Sequence, residues 1–329
     1  MLKLFHSFLR PFGFLPILAL AITVSACAAG GSGNTGAPGE TLPGQTFNGP
    51  VIDKSGDSVL QALIADVAPK FKQGEFTANG QTISYSLFAP EKIVRGKKYP
   101  LVVFIGDAST VGADLSRPLL QGYGALSFAS KEAQAKNPCY VLVPQFSEVA
   151  VNDAYESSSE AALVPLLTRE LAKTHAVNKK KIYISGQSMG GMLGMEYMAN
   201  DPGLYAAGLF VDSHWKPQAM DKLVTAAPFI FVYAGDQGKA YKCEQAIEEA
   251  CRKMSRSYAW AEWSARLPKK TQDDLASNLL GKGNPVNLVG FENGTVLPEG
   301  ASGSEHMYSF DKAYQLAPFR EWLFKQKMK

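Results

Sequence analysis

A serine lies between two glycines in Gly186-Gln187-Ser188-Met189-Gly190-Gly191. The residues before it, Lys181-Ile182-Tyr183-Ile184-Ser185, are few, β-branched and aromatic, which predicts a buried strand. The residues after it, Met192 to Asn200, are rich in helix formers and stop at Asp201-Pro202-Gly203. The chemistry that suits this arrangement is nucleophilic attack by a hydroxyl. A strained strand-to-helix turn lifts Oγ above the sheet, and the flanking glycines let strand and helix backbones approach without a Cβ between them. The start of the helix then offers N–H groups and a positive dipole end to an oxyanion. The plain alternative is a glycine-rich β–α turn with a passive serine.

A serine hydroxyl needs a base to take its proton, and histidine is the usual one. Four histidines occur, and one of them, His6, falls in the N-terminal leader described below. His175 lies in the turn that enters the serine strand, at the wrong end of the sheet. His214 follows the apolar run Ala206–Val211, on the correct edge. His306 lies in Gly303-Ser304-Glu305-His306-Met307, a predicted loop. Two acids also end strands on that edge, Asp212 and Asp236. A carboxylate at such a junction is also a common turn former.

The elements that must hold these groups follow from the apolar pattern. Val51 to Phe71 predicts a helix. Gly74 to Pro90 predicts an N-terminal hairpin that turns at Asn79-Gly80. Tyr99–Ile105 and Tyr140–Pro144 are continuous apolar runs, the signature of strands covered on both faces. A helix is expected from Ser158 to His175, and further strands at Ala206–Val211, Pro228–Tyr233 and Asn287–Phe291. Phe310 to Gln326 predicts one amphipathic C-terminal helix. Buried strands alternating with helices imply an α/β fold with a doubly wound, mostly parallel sheet. Residues 252–281, polar with Trp260 and Trp263, read as an insertion before the last strand. It is a candidate lid or substrate wall, or a packing elaboration.

Lys plus Arg number 33 and Asp plus Glu 30 in 329 residues, and the absence of a basic stripe argues against a nucleic-acid partner. Residues 1–26 carry Lys3, Arg10 and an apolar run from Phe12 to Val24, as a targeting segment does. Val24-Ser25-Ala26-Cys27 resembles a bacterial lipobox, in which Cys27 would be acylated and become the new N-terminus; an ordinary signal peptide is the alternative. The resemblance implies a lipid anchor on an extracytoplasmic membrane face, the outer membrane being favoured because Ala28 is not aspartate, or a periplasmic location. Residues 27–50, rich in Gly, Ala, Ser, Thr and Pro, read as a flexible linker to a domain over 51–329. Cys139, Cys243 and Cys251 remain. The last two are eight apart in a predicted helix, about 12 Å, too far for a disulfide unless the helix begins after Cys243; a bridge from Cys139 to either stays open. No metal-ligand spacing occurs.

Five segments together carry a family resemblance. They are Tyr99-Pro100-Leu101-Val102-Val103-Phe104, Gln121-Gly122-Tyr123-Gly124-Ala125, Asn137 to Gln145, Gly186 to Gly191, and Arg320-Glu321-Trp322-Leu323-Phe324-Lys325-Gln326. Between Phe76 and the C-terminus the chain resembles the α/β-hydrolase superfamily, in the group of secreted esterases and predicted peptidases related to poly(3-hydroxybutyrate) depolymerase and feruloyl esterase. The family order of nucleophile, acid, histidine implies Ser188 as nucleophile, His306 as base and Asp236 as orienting acid, with Asp212 as the fallback. It implies an oxyanion hole from the Met189 amide and one near Ala108. Gln187, Trp215 and His214 are candidate substrate-binding residues. Relatives carry His-Gly where this chain has Gly106-Asp107, and an aspartate run where it has Asp236-Gln237. The expected activity is hydrolysis of a small-molecule or polymeric ester without a cofactor. A serine peptidase and a non-catalytic lipid-anchored binding protein remain the alternatives.

Overall fold

The computed structural model describes residues 46–49, 51–301 and 304–328; the leader, Cys27 and nearly all of the linker lie outside them. Asp57 caps the first helix, α1 (Ser58–Val67), by accepting from the Leu60 amide. The hairpin follows as β1 (Lys72–Ala78) and β2 (Gln81–Phe88), turning through Asn79 and Gly80, both with positive φ. Next come β3 (Tyr99–Ile105), α2 (Arg117–Leu120), α3 (Tyr123–Ala129), α4 (Lys131–Lys136) and β4 (Tyr140–Gln145). The centre is α5 (Leu163–Thr174), β5 (Val177–Gln187), α6 (Met189–Asn200), β6 (Ala207–Val211), α7 (Met220–Ala226) and β7 (Phe229–Ala234). The chain ends with α8 (Gly238–Lys253), β8 (Tyr258–Trp263), α9 (Lys269–Leu280), β9 (Val286–Phe291), α10 (His306–Tyr314) and α11 (Ala317–Lys325).

The strands form one sheet in the order β1-β2-β4-β3-β5-β6-β7-β9-β8. Only the pairings of β2 are antiparallel. Successive side chains of a strand point to opposite faces, and β3 shows the consequence. Leu101, Val103 and Ile105 join one apolar layer with Leu167 of α5, Leu193 of α6 and Ile247 of α8. Val102 and Phe104 join the other with Phe128 of α3, Phe310 of α10 and Leu323 of α11. Both faces are covered, so both must be apolar, and the run cannot alternate.

Two expectations are corrected. Residues 252–281 are no lid: they supply β8, the edge strand paired in parallel with β9, and α9 beyond it. Tyr258, Trp260 and Trp263 suit a strand, and parallel pairing with β9 gives Trp263 a buried position, edge-on to Phe291 at 6.2 Å. The single C-terminal helix is two, α10 and α11, because Pro318 has no N–H to continue the ladder and clashes with the preceding turn. The first of the two, α10, opens at His306. That helix is fixed from its other side: Asp311 pairs with Lys54 Nζ at 2.6 Å and accepts from the Tyr123 amide at 3.0 Å.

Candidate active site

The strand β5 ends at Gln187, α6 begins at Met189, and Ser188 takes the turn between them with φ 50° and ψ −120°. A non-glycine residue there is strained and needs support from around it. The support is backbone. Ser188 N donates to Val211 O at 3.0 Å, and Ser213 Oγ donates to Ser188 O at 2.7 Å. A Cβ on Gly190 would lie 2.1 Å from Ile105 O, and one on Gly186 would lie 2.3 Å from the Gly190 carbonyl. The two glycines therefore let helix, elbow strand and the end of β3 close on one another.

His306 Nε2 lies 2.8 Å from Ser188 Oγ, and its Nδ1 lies 3.2 Å from Asp212 Oδ1. The imidazole thus joins the hydroxyl to a carboxylate. Burial alone would lower the His306 pKa. The hydrogen bond and charge of Asp212, with the more distant charges of Asp107 and Asp153, outweigh that and raise it above the ordinary imidazole value. The ring faces Phe310 edge-on at 5.0 Å, one turn along α10.

The acid beside His306 is Asp212, not Asp236. Pairing sets this. β6 is the direct neighbour of β5 with Val211 opposite Gln187, so residue 212 comes level with residue 188. β7 is one strand further out, about 4.8 Å away. Asp236 lies two residues beyond its end, after Gly235, and is exposed. Asp212 is 5% exposed, and its positive φ of 43° turns the chain sharply at the strand end.

Met189 and Ala108 line the same cavity as Ser188. Met189 opens α6, and Ala108 opens a short 3-10 turn, Ala108–Thr110. The N–H of a first helical residue has no partner within the helix, so both amides are free for an oxyanion. The loop that carries Ala108 is tied down by Asp107. The Asp107 carboxylate accepts from Ser109 N at 2.7 Å, from Gln187 Nε2 at 3.0 Å and from Gln121 Nε2. Gln187 Nε2 also donates to Gln121 Oε1. Gln187 is 1% exposed and spent in this network, so it does not face substrate. Nothing in the sequence spacing announces the network, whose three members come from separate segments.

The cavity has a volume of about 640 Å³. His214 is on its wall, with Nε2 3.2 Å from Asp153 Oδ1 but off the hydrogen-bonding axis. Asp153 also pairs with Lys239; His214 and Lys239 lower its pKa to about 2. Trp215 is not on the wall: it is 2% exposed and packs edge-on against Tyr155 at 5.3 Å, as a core aromatic does. None of residues 252–281 lines the cavity. Among the described residues Cys139, Cys243 and Cys251 are free and buried; burial raises the thiol pKa of Cys139 and Cys243 to about 12.

No family model and no curated protein matches the chain. Solved structures do. A thermostable esterase aligns with a TM-score of 0.64 at 22% identity, over 80% of this chain and 64% of its own. The chain thus spans somewhat under two thirds of that protein. A ferulic acid esterase aligns with a TM-score of 0.50 at 12% identity, over 78% of this chain and 98% of its own. An acylaminoacyl peptidase aligns at 0.45 and 13% identity, over 78% of this chain and 41% of its own, a likeness too low to weigh. At such identities it is the architecture that is shared: the mostly parallel nine-strand sheet and its flanking helices are those of the α/β-hydrolase fold.

Proposed function

We propose that the chain is a serine hydrolase of carboxylic esters. The observation that carries this reading is the continuous contact from Ser188 Oγ through His306 to Asp212, on a strained turn beside two free amides. Ser188 Oγ attacks the ester carbonyl while His306 Nε2 takes its proton. The Met189 and Ala108 amides receive the negative oxygen of the tetrahedral intermediate. His306 returns the proton to the departing alcohol, which leaves an acyl group on Ser188. Water then attacks the acyl carbon, His306 takes a proton from it, and the carboxylic acid departs as Ser188 recovers its hydrogen. Asp212 holds the imidazole in the tautomer that presents Nε2 to serine and stabilises the imidazolium.

The network around Asp107 supports a competent oxyanion loop despite the departure from Gly at that position, and so weighs against a non-catalytic binder. The resemblance of Val24–Cys27 to a lipobox supports action outside the cytoplasm, with a lipid on Cys27 as the anchor. A fluorophosphonate probe tests the enzyme reading: it labels the wild type and not Ser188→Ala. A panel of short and long p-nitrophenyl esters, a feruloyl ester and an aminoacyl anilide tests the substrate. Ester turnover above anilide turnover is expected; the reverse makes the chain a peptidase.

A further inference from the structure

Acidic side chains outnumber basic ones in the cavity that holds Ser188. Asp153, Asp212, Asp236 and Glu305 line it, against the ammonium of Lys239 and the imidazoles of His214 and His306. Lys239 is committed to Asp153. Asp212 Oδ1 faces His306. Asp236 and Glu305 form no ion pair among the described residues.

These two carboxylates are brought together by the fold. Glu305 precedes the base and is held by the Gly294 amide, which donates to Oε1 at 2.7 Å. Its Oε2 lies over Gly235, where a Cβ would approach to 2.8 Å, and Asp236 is the next residue. Burial, and then the charges of Asp212 and Asp236, raise the Glu305 pKa above the usual carboxylate range, against the lowering effect of the Gly294 amide. The field at this wall therefore disfavours further negative charge.

That a ligand enters here rests on separate grounds. The Ser188 hydroxyl, hydrogen-bonded to His306, opens into the same cavity that Asp236 and Glu305 line. Among the described residues no group of three or more His, Cys, Asp or Glu is arranged to hold a metal ion.

We infer that the substrate carries an ammonium or guanidinium group, seated against Asp236 and Glu305 while its ester carbonyl lies at Ser188. This deepens the hydrolase reading and rests on it. Esters with an anionic group are correspondingly poor substrates.

The test compares cationic esters with neutral isosteres. On the alcohol side, butyrylcholine is set against 3,3-dimethylbutyl butyrate. On the acyl side, p-nitrophenyl 4-(trimethylammonio)butanoate is set against p-nitrophenyl 5,5-dimethylhexanoate. Each kcat/KM is divided by the ester's own hydroxide-catalysed rate. The expected cationic-to-neutral ratio is about five or more in at least one pair at low ionic strength. It falls toward one in 0.5 M salt and in Asp236→Asn with Glu305→Gln. The wild-type salt dependence decides the matter even if the double variant misfolds. A ratio of one or less in both pairs, from protein that turns over the neutral esters, overturns the inference and spares the hydrolase reading. Absence of turnover together with absence of fluorophosphonate labelling overturns both.

Discussion

Replacing Asp212 by asparagine tests the acid assignment directly. Asn keeps the size of the side chain and removes its charge, so the imidazolium formed during attack loses its counter-ion. At 3.2 Å from Asp212 Oδ1 to His306 Nδ1, two opposite unit charges attract by about 5 kcal/mol at an effective dielectric constant of about 20. The His306 side chain is 38% exposed, and water screens part of that attraction. About 3–4 kcal/mol remains, or a 10²- to 10³-fold fall in kcat/KM. The assay is initial-rate hydrolysis of a neutral p-nitrophenyl ester at a fixed pH near 8, with thermal melting to establish that the variant is folded. Asp236→Asn is the comparison. Asp236 is exposed and reaches His306 by no hydrogen bond, so its fall is expected to be at least tenfold smaller. If Asp236→Asn costs more than Asp212→Asn, the geometry assigned here is wrong.

Three further outcomes are expected. As the proposed base, His306 works in its neutral form, and its pKa is raised, so the acid limb of kcat/KM is expected to have its midpoint above about 6.5, the ordinary imidazole value; in Asp212→Asn the midpoint moves to lower pH. Burial, with the charge of Glu248, raises the Glu244 pKa from 4.5 to about 8. A carboxyl with a raised folded pKa contributes its stability below the unfolded value and loses it as pH rises through 4.5 to 8. Glu244→Gln therefore raises Tm at pH 8.5 by several degrees, about 2 kcal/mol, and changes it little at pH 4, as melting by circular dichroism reads. In Gly190→Ala a Cβ would meet the Ile105 carbonyl oxygen at 2.1 Å, and backbone cannot yield as a side chain can. The variant is expected to lose about 2–4 kcal/mol, to melt several degrees lower and to label poorly with fluorophosphonate.

The sequence made the strained turn at Ser188 legible because its signal is local: strand, Gly-x-Ser-x-Gly and helix lie within some twenty residues, and backbone clearance alone demands the glycines. His306 was legible by chain order once the family resemblance was admitted. Asp212 was not preferred, because the choice between Asp212 and Asp236 is a choice between two strand ends. Both follow apolar runs, both stand at the correct edge, and the two runs read alike. Only pairing separates them. β6 hydrogen-bonds to β5 and β7 does not, and no residue in either run records which neighbour it will take. The same blindness explains β8. Its residues Tyr258–Trp263 sit on the edge of the sheet, where one side is unpaired, so its burial is partial and its apolar pattern is broken by Glu262. Central strands declare themselves through continuous burial; an edge strand resembles a polar loop with aromatic interruptions. The oxyanion network shows the third kind of silence. Asp107, Gln121 and Gln187 are three unremarkable polar residues until β3, the segment before α3 and β5 converge. Once buried together they must satisfy one another, since a lone carboxylate there would be costly. The buried carboxylate of Asp107 is thus answered within the fold by partners at two distant positions. The bracing of the loop after β3 follows from that convergence of segments, which no single stretch of sequence encodes.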